Sequence, residues 1–258
     1  MKFALCFSGH PRTFERCFHS INEQLLTKYE CDIFISTYNT HENNNIVNLY
    51  HPKRINFNDE NDILNRNNNY FNQLDNVKTI IMHNVNDISN NNVCFNPNST
   101  DLNNFFNYDV MNKDFSYERI NVRALCQFFG MYDVSQLCLD YINNNGVHYD
   151  YILRLRLDDH IVNNFEVHHL NENEILVNSV QNYCNSIKLH DHFFMAKPNT
   201  YFKLANLYND LPNIIRFINE NRCWLPGFGY QETLLLIQAI IHNIRIKETN
   251  NYKIIKLD

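Results

Sequence analysis

Glycine is scarce in this chain, five residues among 258, and only Gly9 stands in the loop after the first apolar run. A Walker loop and a Gly-x-Gly-x-x-Gly fingerprint are both absent, which removes two common glycine-built phosphate cradles. Lysine and arginine form no dense block and the formal net charge is -6. That argues against a nucleic-acid-binding face, although a few placed arginines suffice for a phosphate ligand. None of the eight cysteines belongs to a Cys-x-x-Cys pair, which argues against a zinc ribbon. In settings such as Leu5-Cys6-Phe7 and Leu137-Cys138-Leu139 they read as small buried hydrophobes of a reducing compartment. The opening apolar run is too short for a signal peptide, and the most apolar later stretch, Leu234 to Ile241, is far below membrane-spanning length and contains Gln238. The expectation is a soluble, cytoplasmic protein with no transmembrane segment. No repeat and no Pro/Gly/Ser linker divides the chain, so residues 1–258 are read as a single domain.

Hydrophobic residues make up 44% of the chain and aromatics 14%, a globular composition rather than a disordered one. Asparagine is the oddity, in runs such as Asn43-Asn44-Asn45, Asn67-Asn68-Asn69 and Asn90-Asn91-Asn92. Because Asn favours turns and caps, these runs are expected to mark surface loops. Residues 2 to 7 read as a buried parallel strand and 13 to 28 as a helix on Phe14, Cys17, Phe18, Ile21 and Leu25. Asp32 to Tyr38 reads as a second strand, and together they form a βαβ unit with a right-handed crossover. Residues 39 to 116 read as Asn-rich loop apart from a strand at Lys78 to His83. A long helix is expected from about Tyr117 to Asn144, then strands at Tyr149 to Leu157, Ile175 to Asn178 and His192 to Ala196. Helices near 198 to 209, 212 to 221 and 230 to 242 and a strand at Ile244 to Glu248 complete an α/β chain with a mostly parallel central sheet flanked by helices.

Four segments carry candidate chemistry. In Tyr151-Ile-Leu-Arg-Leu-Arg-Leu-Asp-Asp159, strand alternation puts Arg154, Arg156 and Asp158 on one face of a strand that reads as central. Buried charges are costly unless paired or liganded. The group is therefore either an internal Arg–Asp network that holds the fold or a ligand site at the strand's carboxyl end. In the second case Asp158, with Asp159 beside it, would hold Mg²⁺ or Mn²⁺ against a diphosphate. Phe7-Ser8-Gly9-His10-Pro11-Arg12-Thr13 joins the first strand to the first helix, and there Gly9 allows close backbone approach and Arg12 can fork onto a phosphate. In Pro226-Gly-Phe-Gly-Tyr-Gln-Glu232, Glu232 is a helix cap or a general base. Asp191, in His190-Asp191-His192-Phe-Phe, is a second candidate base, and the flanking histidines have the spacing of metal ligands on a strand.

Taken together and in this order, these segments resemble GT-A-fold glycosyltransferases, particularly those of capsule and lipopolysaccharide synthesis and of large DNA viruses. The likeness rests on Ser8-Gly9-His10-Pro11-Arg12, Asp32-Ile-Phe-Ile-Ser-Thr-Tyr38, Arg123-Ala-Leu-Cys-Gln127, Tyr149 to Asp158, the Asp191 segment and Gln231-Glu232-Thr233-Leu234. It implies a Rossmann-like nucleotide-binding half over 1–158 and an acceptor and catalytic half over 159–258. It implies transfer of a sugar from a UDP-, GDP- or dTDP-sugar to a glycan or glycoconjugate hydroxyl, with inversion as the expected outcome and retention as the alternative. By that likeness Asp158 and Asp159 bind Mn²⁺ or Mg²⁺, Arg12 and Arg156 neutralise the diphosphate, and Thr37 and Tyr38 lie near the nucleoside. Ser8, Gly9, Arg123, Gln127 and Arg154 complete the donor site, and Glu232 or Asp191 is the base. The chain departs from a strict Asp-x-Asp pattern, having Leu157-Asp158-Asp159. The alternatives are an inactive nucleotide- or glycan-binding module and a nucleotidyltransferase, which the lone Gly9 in its loop disfavours. A viral source would place the protein in the host cytoplasm.

Overall fold

The computed structural model describes residues 1–73, 122–178, 180–183, 186–189, 192–220, 231–249 and 253–256. Its centre is a seven-stranded sheet built from β1 (Lys2–Gly9), β2 (Glu30–Tyr38), β3 (Arg54–Asn58), β4 (Tyr151–Leu155), β6 (Glu174–Val177), β9 (Phe194–Ala196) and β10 (Arg245–Glu248). The spatial order is β10-β6-β9-β4-β1-β2-β3. Strands β3, β2, β1 and β4 are mutually parallel, as are β6 and β10, and β9 runs antiparallel to both β4 and β6. Two small antiparallel pairs flank it: β5 (Asp159–Val162) with β11 (Lys253–Lys256), and β7 (Val180–Tyr183) with β8 (Ser186–Leu189). Among the described residues no helix is long and apolar enough to cross a membrane.

Strand alternation sorts the core onto two faces. Ala4, Cys6, Phe34 and Ile152 pack with Leu125, Phe128 and Val134 of the long helix α4 (Val122–Asn145). The same cluster takes in α5 (Pro198–Ala205), α6 (Leu207–Glu220) and α7 (Gln231–Ile241) through Leu204, Leu211 and Leu236. Phe3, Leu5, Phe7, Ile33, Ile35 and Leu153 face the other way, onto Phe14, Cys17 and Ile21 of α1 (Phe14–Ile21) and Ile46 and Tyr50 of α2 (Asn43–Tyr50). A strand apolar on both faces is what a parallel sheet covered by helices requires.

Four expectations are corrected. The helix expected over 13 to 28 becomes α1 followed by a π-helical turn, Asn22–Leu26. The helix expected to begin at 212 begins at Leu207 and runs through Pro212, so the proline sits inside α6. The strand expected over 149 to 157 ends at Leu155, and the chain turns through Arg156 to Asp158, where Asp159 N–H donates to Arg156 O at 3.2 Å. The region read as loop from residue 39 contains α2, β3 and α3 (Glu60–Gln73). Its asparagines misled because a polar residue on an outer helix face costs little once an apolar pair such as Ile46 and Tyr50 anchors the inner one. Asn67 is itself fully buried, donating through Nδ2 to Ile63 O at 2.9 Å. The strand expected at Lys78 to His83 and the Asn90 run lie outside the described residues.

The far edge of the sheet is held by Glu174, whose carboxylate meets Lys247 at 2.7 Å and Arg245 at 3.0 Å and accepts the Asn171 amide at 2.8 Å. The Asn171 amide first, then the Lys247 contact, pull its pKa down to about 2 from 4.5. Because the folded value lies below the unfolded one, this carboxylate stabilises the fold above pH 4.5 and its contribution disappears as pH falls through about 2. The melting temperature of Glu174→Gln should therefore lie below that of the wild type at neutral pH and converge on it across that window.

Candidate functional site

The order of the sheet places a crevice. From β1 the chain winds outward through β2 to β3, then returns by way of α4 to lay β4 on the opposite side of β1. Ligands of open α/β sheets bind outside the carboxyl ends of the strands at such a reversal. A cavity of about 490 Å³ opens there, within the usual range of roughly 300–1,000 Å³ for small-molecule sites. Ser8, Gly9, His10 and Arg12 enter it from the end of β1 and the loop that follows, Ser36, Thr37 and Tyr38 from β2, Arg154 from β4 and Arg156 from the turn after it. Asn58 and Glu60 close it at the end of β3, and Gln127, Phe129 and Gly130 of α4 form a wall.

Local sequence explains each placement. Gly9 has φ +121°, a conformation side-chain-bearing residues rarely adopt. Its carbonyl accepts Thr37 Oγ1–H at 2.7 Å, tying the ends of β1 and β2 together. A Cβ on Gly130 would lie 3.4 Å from Ser8 Cβ and Oγ, ordinary van der Waals contact, so α4 passes close to the end of β1 at this point. His10 stacks on Tyr38, ring centroids 4.0 Å apart and planes 16° off parallel. Burial pushes the His10 pKa down, which keeps the imidazole neutral and leaves the arginines as the source of positive charge. Beneath the β2 and β3 ends, Asp133 Oδ2 accepts Ser36 Oγ–H at 2.7 Å and Asn56 Nδ2–H at 2.9 Å, while Asn58 Nδ2–H donates to Ser36 Oγ at 3.1 Å.

Every residue expected to bind the donor lines this cavity except Arg123, whose place in α4 is described but whose side chain is not. Ser8, Gly9, Arg12, Thr37, Tyr38, Gln127, Arg154 and Arg156, from widely separated segments, converge on it. Asp191 lies outside the described residues, and Glu232 sits in the first turn of α7 with its side chain outside them. Ser36, Asn58, Glu60 and Gly130 were not anticipated. Asn58 and Glu60 sat in the stretch read as loop, although the alternation of Arg54-Ile-Asn-Phe-Asn58 was a usable strand signal.

Asp158 and Asp159 do not line the cavity. Both are fully buried, turned in beneath Arg156 by the bend that follows β4. Arg156 forks onto Asp158, Nε to Oδ1 at 2.8 Å and Nη2 to Oδ2 at 2.9 Å. Asp159 accepts the Arg156 amide on Oδ2 at 2.7 Å and meets His192 Nδ1 with Oδ1 at 3.0 Å. A cation bridging these carboxylates to a ligand would have to displace a guanidinium and then sit beside it, so this donor set fits a divalent metal poorly. Among the described residues no cluster of three or more His, Cys, Asp or Glu forms another candidate.

No protein-family model and no curated protein matches this chain. The functional reading rests on the cavity and the residues that reach it.

Proposed function

We propose that the chain is a glycosyltransferase that binds a nucleotide-diphosphate sugar at the carboxyl ends of β1 to β4 and passes the sugar to an acceptor hydroxyl. One observation carries the reading: residues selected from four separate sequence segments for donor binding meet in a single cavity at the switch point of an α/β sheet. A GT-A-like fold is part of the proposal, supported by the mostly parallel sheet and its helical layers.

The diphosphate sits against Arg12, Arg154 and Arg156, with Gly9 giving its backbone close approach. The nucleoside extends over the polar strip of Ser36, Thr37 and Asn58, beside the stacked rings of His10 and Tyr38. The acceptor oxygen attacks the anomeric carbon as the bond from that carbon to the diphosphate oxygen breaks. The bonding pair leaves on the nucleoside diphosphate, where the guanidinium groups stabilise the growing charge. The acceptor's proton goes to Asp191 or Glu232, assigned on sequence alone, and direct displacement inverts the anomeric centre.

Thermal denaturation with UDP, GDP, dTDP and CMP, each with and without Mn²⁺, tests the reading. A diphosphate present at a hundred times its Kd stabilises by about 2.7 kcal/mol, which raises the melting temperature by roughly 5–10 °C for a chain of this size. Absence of a shift with every nucleotide would remove the transferase reading.

A further inference from the structure

In and just after β4, Asp158 and Asp159 bond within the protein while Arg154 and Arg156 reach the cavity. Resting on the function proposed above, we infer that this site neutralises a pyrophosphate diester with arginine alone, without a divalent cation, and that Asp158 is a positioning residue for Arg156.

The cavity shows the charge such a ligand needs. Among its described lining residues are three arginines, Arg12, Arg154 and Arg156, and one carboxylate, Glu60. The difference at the cavity surface is two positive charges, of which Asp158 behind Arg156 offsets one; a nucleotide sugar's diphosphate carries one negative charge on each phosphorus. Glu60 is largely exposed and lies 3.8 Å from His10, on the β3 side of the cavity rather than among the guanidiniums. Arg154 is buried to 1% exposure while still reaching the cavity wall. Its Nη1 donates to Leu155 O, so this charge is held in place at the cavity wall. The side chain of Arg156 is 18% exposed and its partner Asp158 1%. The carboxylate thus lies behind the guanidinium, and only the guanidinium faces the ligand.

The Asp158 fork explains why a carboxylate is needed at a position where metal binding was expected. Unrestrained, an arginine side chain loses much rotamer entropy on meeting a phosphate; a bidentate partner removes that loss beforehand. Asp159 fixes the backbone of the same residue, accepting the Arg156 amide. Side chain and main chain of Arg156 are each held by one of two consecutive aspartates. This gives Leu157-Asp158-Asp159 a use that an Asp-x-Asp metal motif does not describe.

The test is calorimetric titration of the full chain with UDP, GDP and inorganic pyrophosphate, in EDTA and again in Mn²⁺. The inference expects the tightest probe to bind with the same Kd in both buffers. Arg12→Ala should weaken it at least about tenfold, the loss of one charge-assisted hydrogen bond. Asp158→Asn, which keeps one acceptor for Arg156, should weaken binding by a few-fold and equally in both buffers. Binding that requires Mn²⁺, and that Asp158→Asn abolishes even in Mn²⁺, overturns the inference while leaving the transferase reading intact. Metal-independent binding that Arg12→Ala and Arg156→Lys leave unchanged places the ligand elsewhere and also overturns it. Absence of binding in either buffer, for every probe, overturns both.

Discussion

Arg156→Ala should lose nucleotide-induced stabilisation and lower sugar transfer by about 10²–10³-fold, the usual cost of removing one preorganised group that meets charge developing in a transition state. The substitution also strands Asp158, which is fully buried and forked onto that guanidinium. Breaking one side of such a pair costs about 3 kcal/mol or more of stability, because the remaining charge has lost both water and partner. The two effects separate in the double variant Arg156→Ala/Asp158→Ala. Removing both charges should restore most of the melting temperature without restoring binding or transfer. A double variant as unstable as Arg156→Ala, or one that recovers transfer, would show that the pair has been misassigned. Arg156→Lys should retain the fold but bind weakly, since a point charge replaces the planar fork.

Asp159→Ala should be the most destabilising single change in the turn. The carboxylate is completely buried, and both its oxygens are engaged, one by the Arg156 amide and one by His192 Nδ1. Alanine removes the acceptor of the Arg156 amide and the partner of His192 Nδ1, at a cost of about 3–5 kcal/mol, which corresponds to a fall of roughly 6–20 °C in melting temperature. Asp159→Asn should behave differently. Burial raises the Asp159 pKa more than His192 and the Arg156 amide lower it, so the ionised form is held at a net disadvantage. An amide can accept from the Arg156 N–H and still bond to the imidazole without that penalty, so Asn should lie close to the wild type. The sign follows from the raised value: Asp159 is protonated in the folded state at a higher pH than when unfolded, so its ionisation erodes stability as pH rises through that interval. Melting curves of the wild type and Asp159→Asn between pH 4 and 8 check this, with the difference between them shifting in favour of Asn as pH rises.

The parallel half of the sheet was legible because its signals are local and strong. Lys2 to Gly9 and Asp32 to Tyr38 are apolar on both faces, a pattern that a parallel strand covered by helices produces and a surface strand does not. The same local reading picked out Ser8, Gly9, Arg12, Arg154 and Arg156, since a loop glycine and paired charges in apolar strands stand out against their neighbours. The aspartates were harder. Alternation along Tyr151 to Asp158 put Asp158 with the arginines, and Asp158 does fork onto Arg156; but alternation holds only while a strand lasts, and β4 stops at Leu155. Beyond that point the bend, not the period, decides where a side chain goes, and it turns both carboxylates inward. The region after residue 39 failed for a different reason. Its helices and strand are amphipathic with asparagine on the polar side, and asparagine is a weak former of both structures. Tertiary burial of Ile46, Tyr50 and Ile63 outweighs that propensity, and no local signal reports tertiary burial.

A crystal of the chain grown with the nucleoside diphosphate that gives the largest thermal shift tests the donor site most directly. The geometry predicts density for the diphosphate at the carboxyl ends of β1 and β4, within hydrogen-bonding distance of Arg156 and the Gly9 backbone, with the nucleoside toward Thr37 and Asn58. Density at any other surface, or an empty cavity at saturating nucleotide, would contradict the assignment of this crevice as a nucleotide-sugar site.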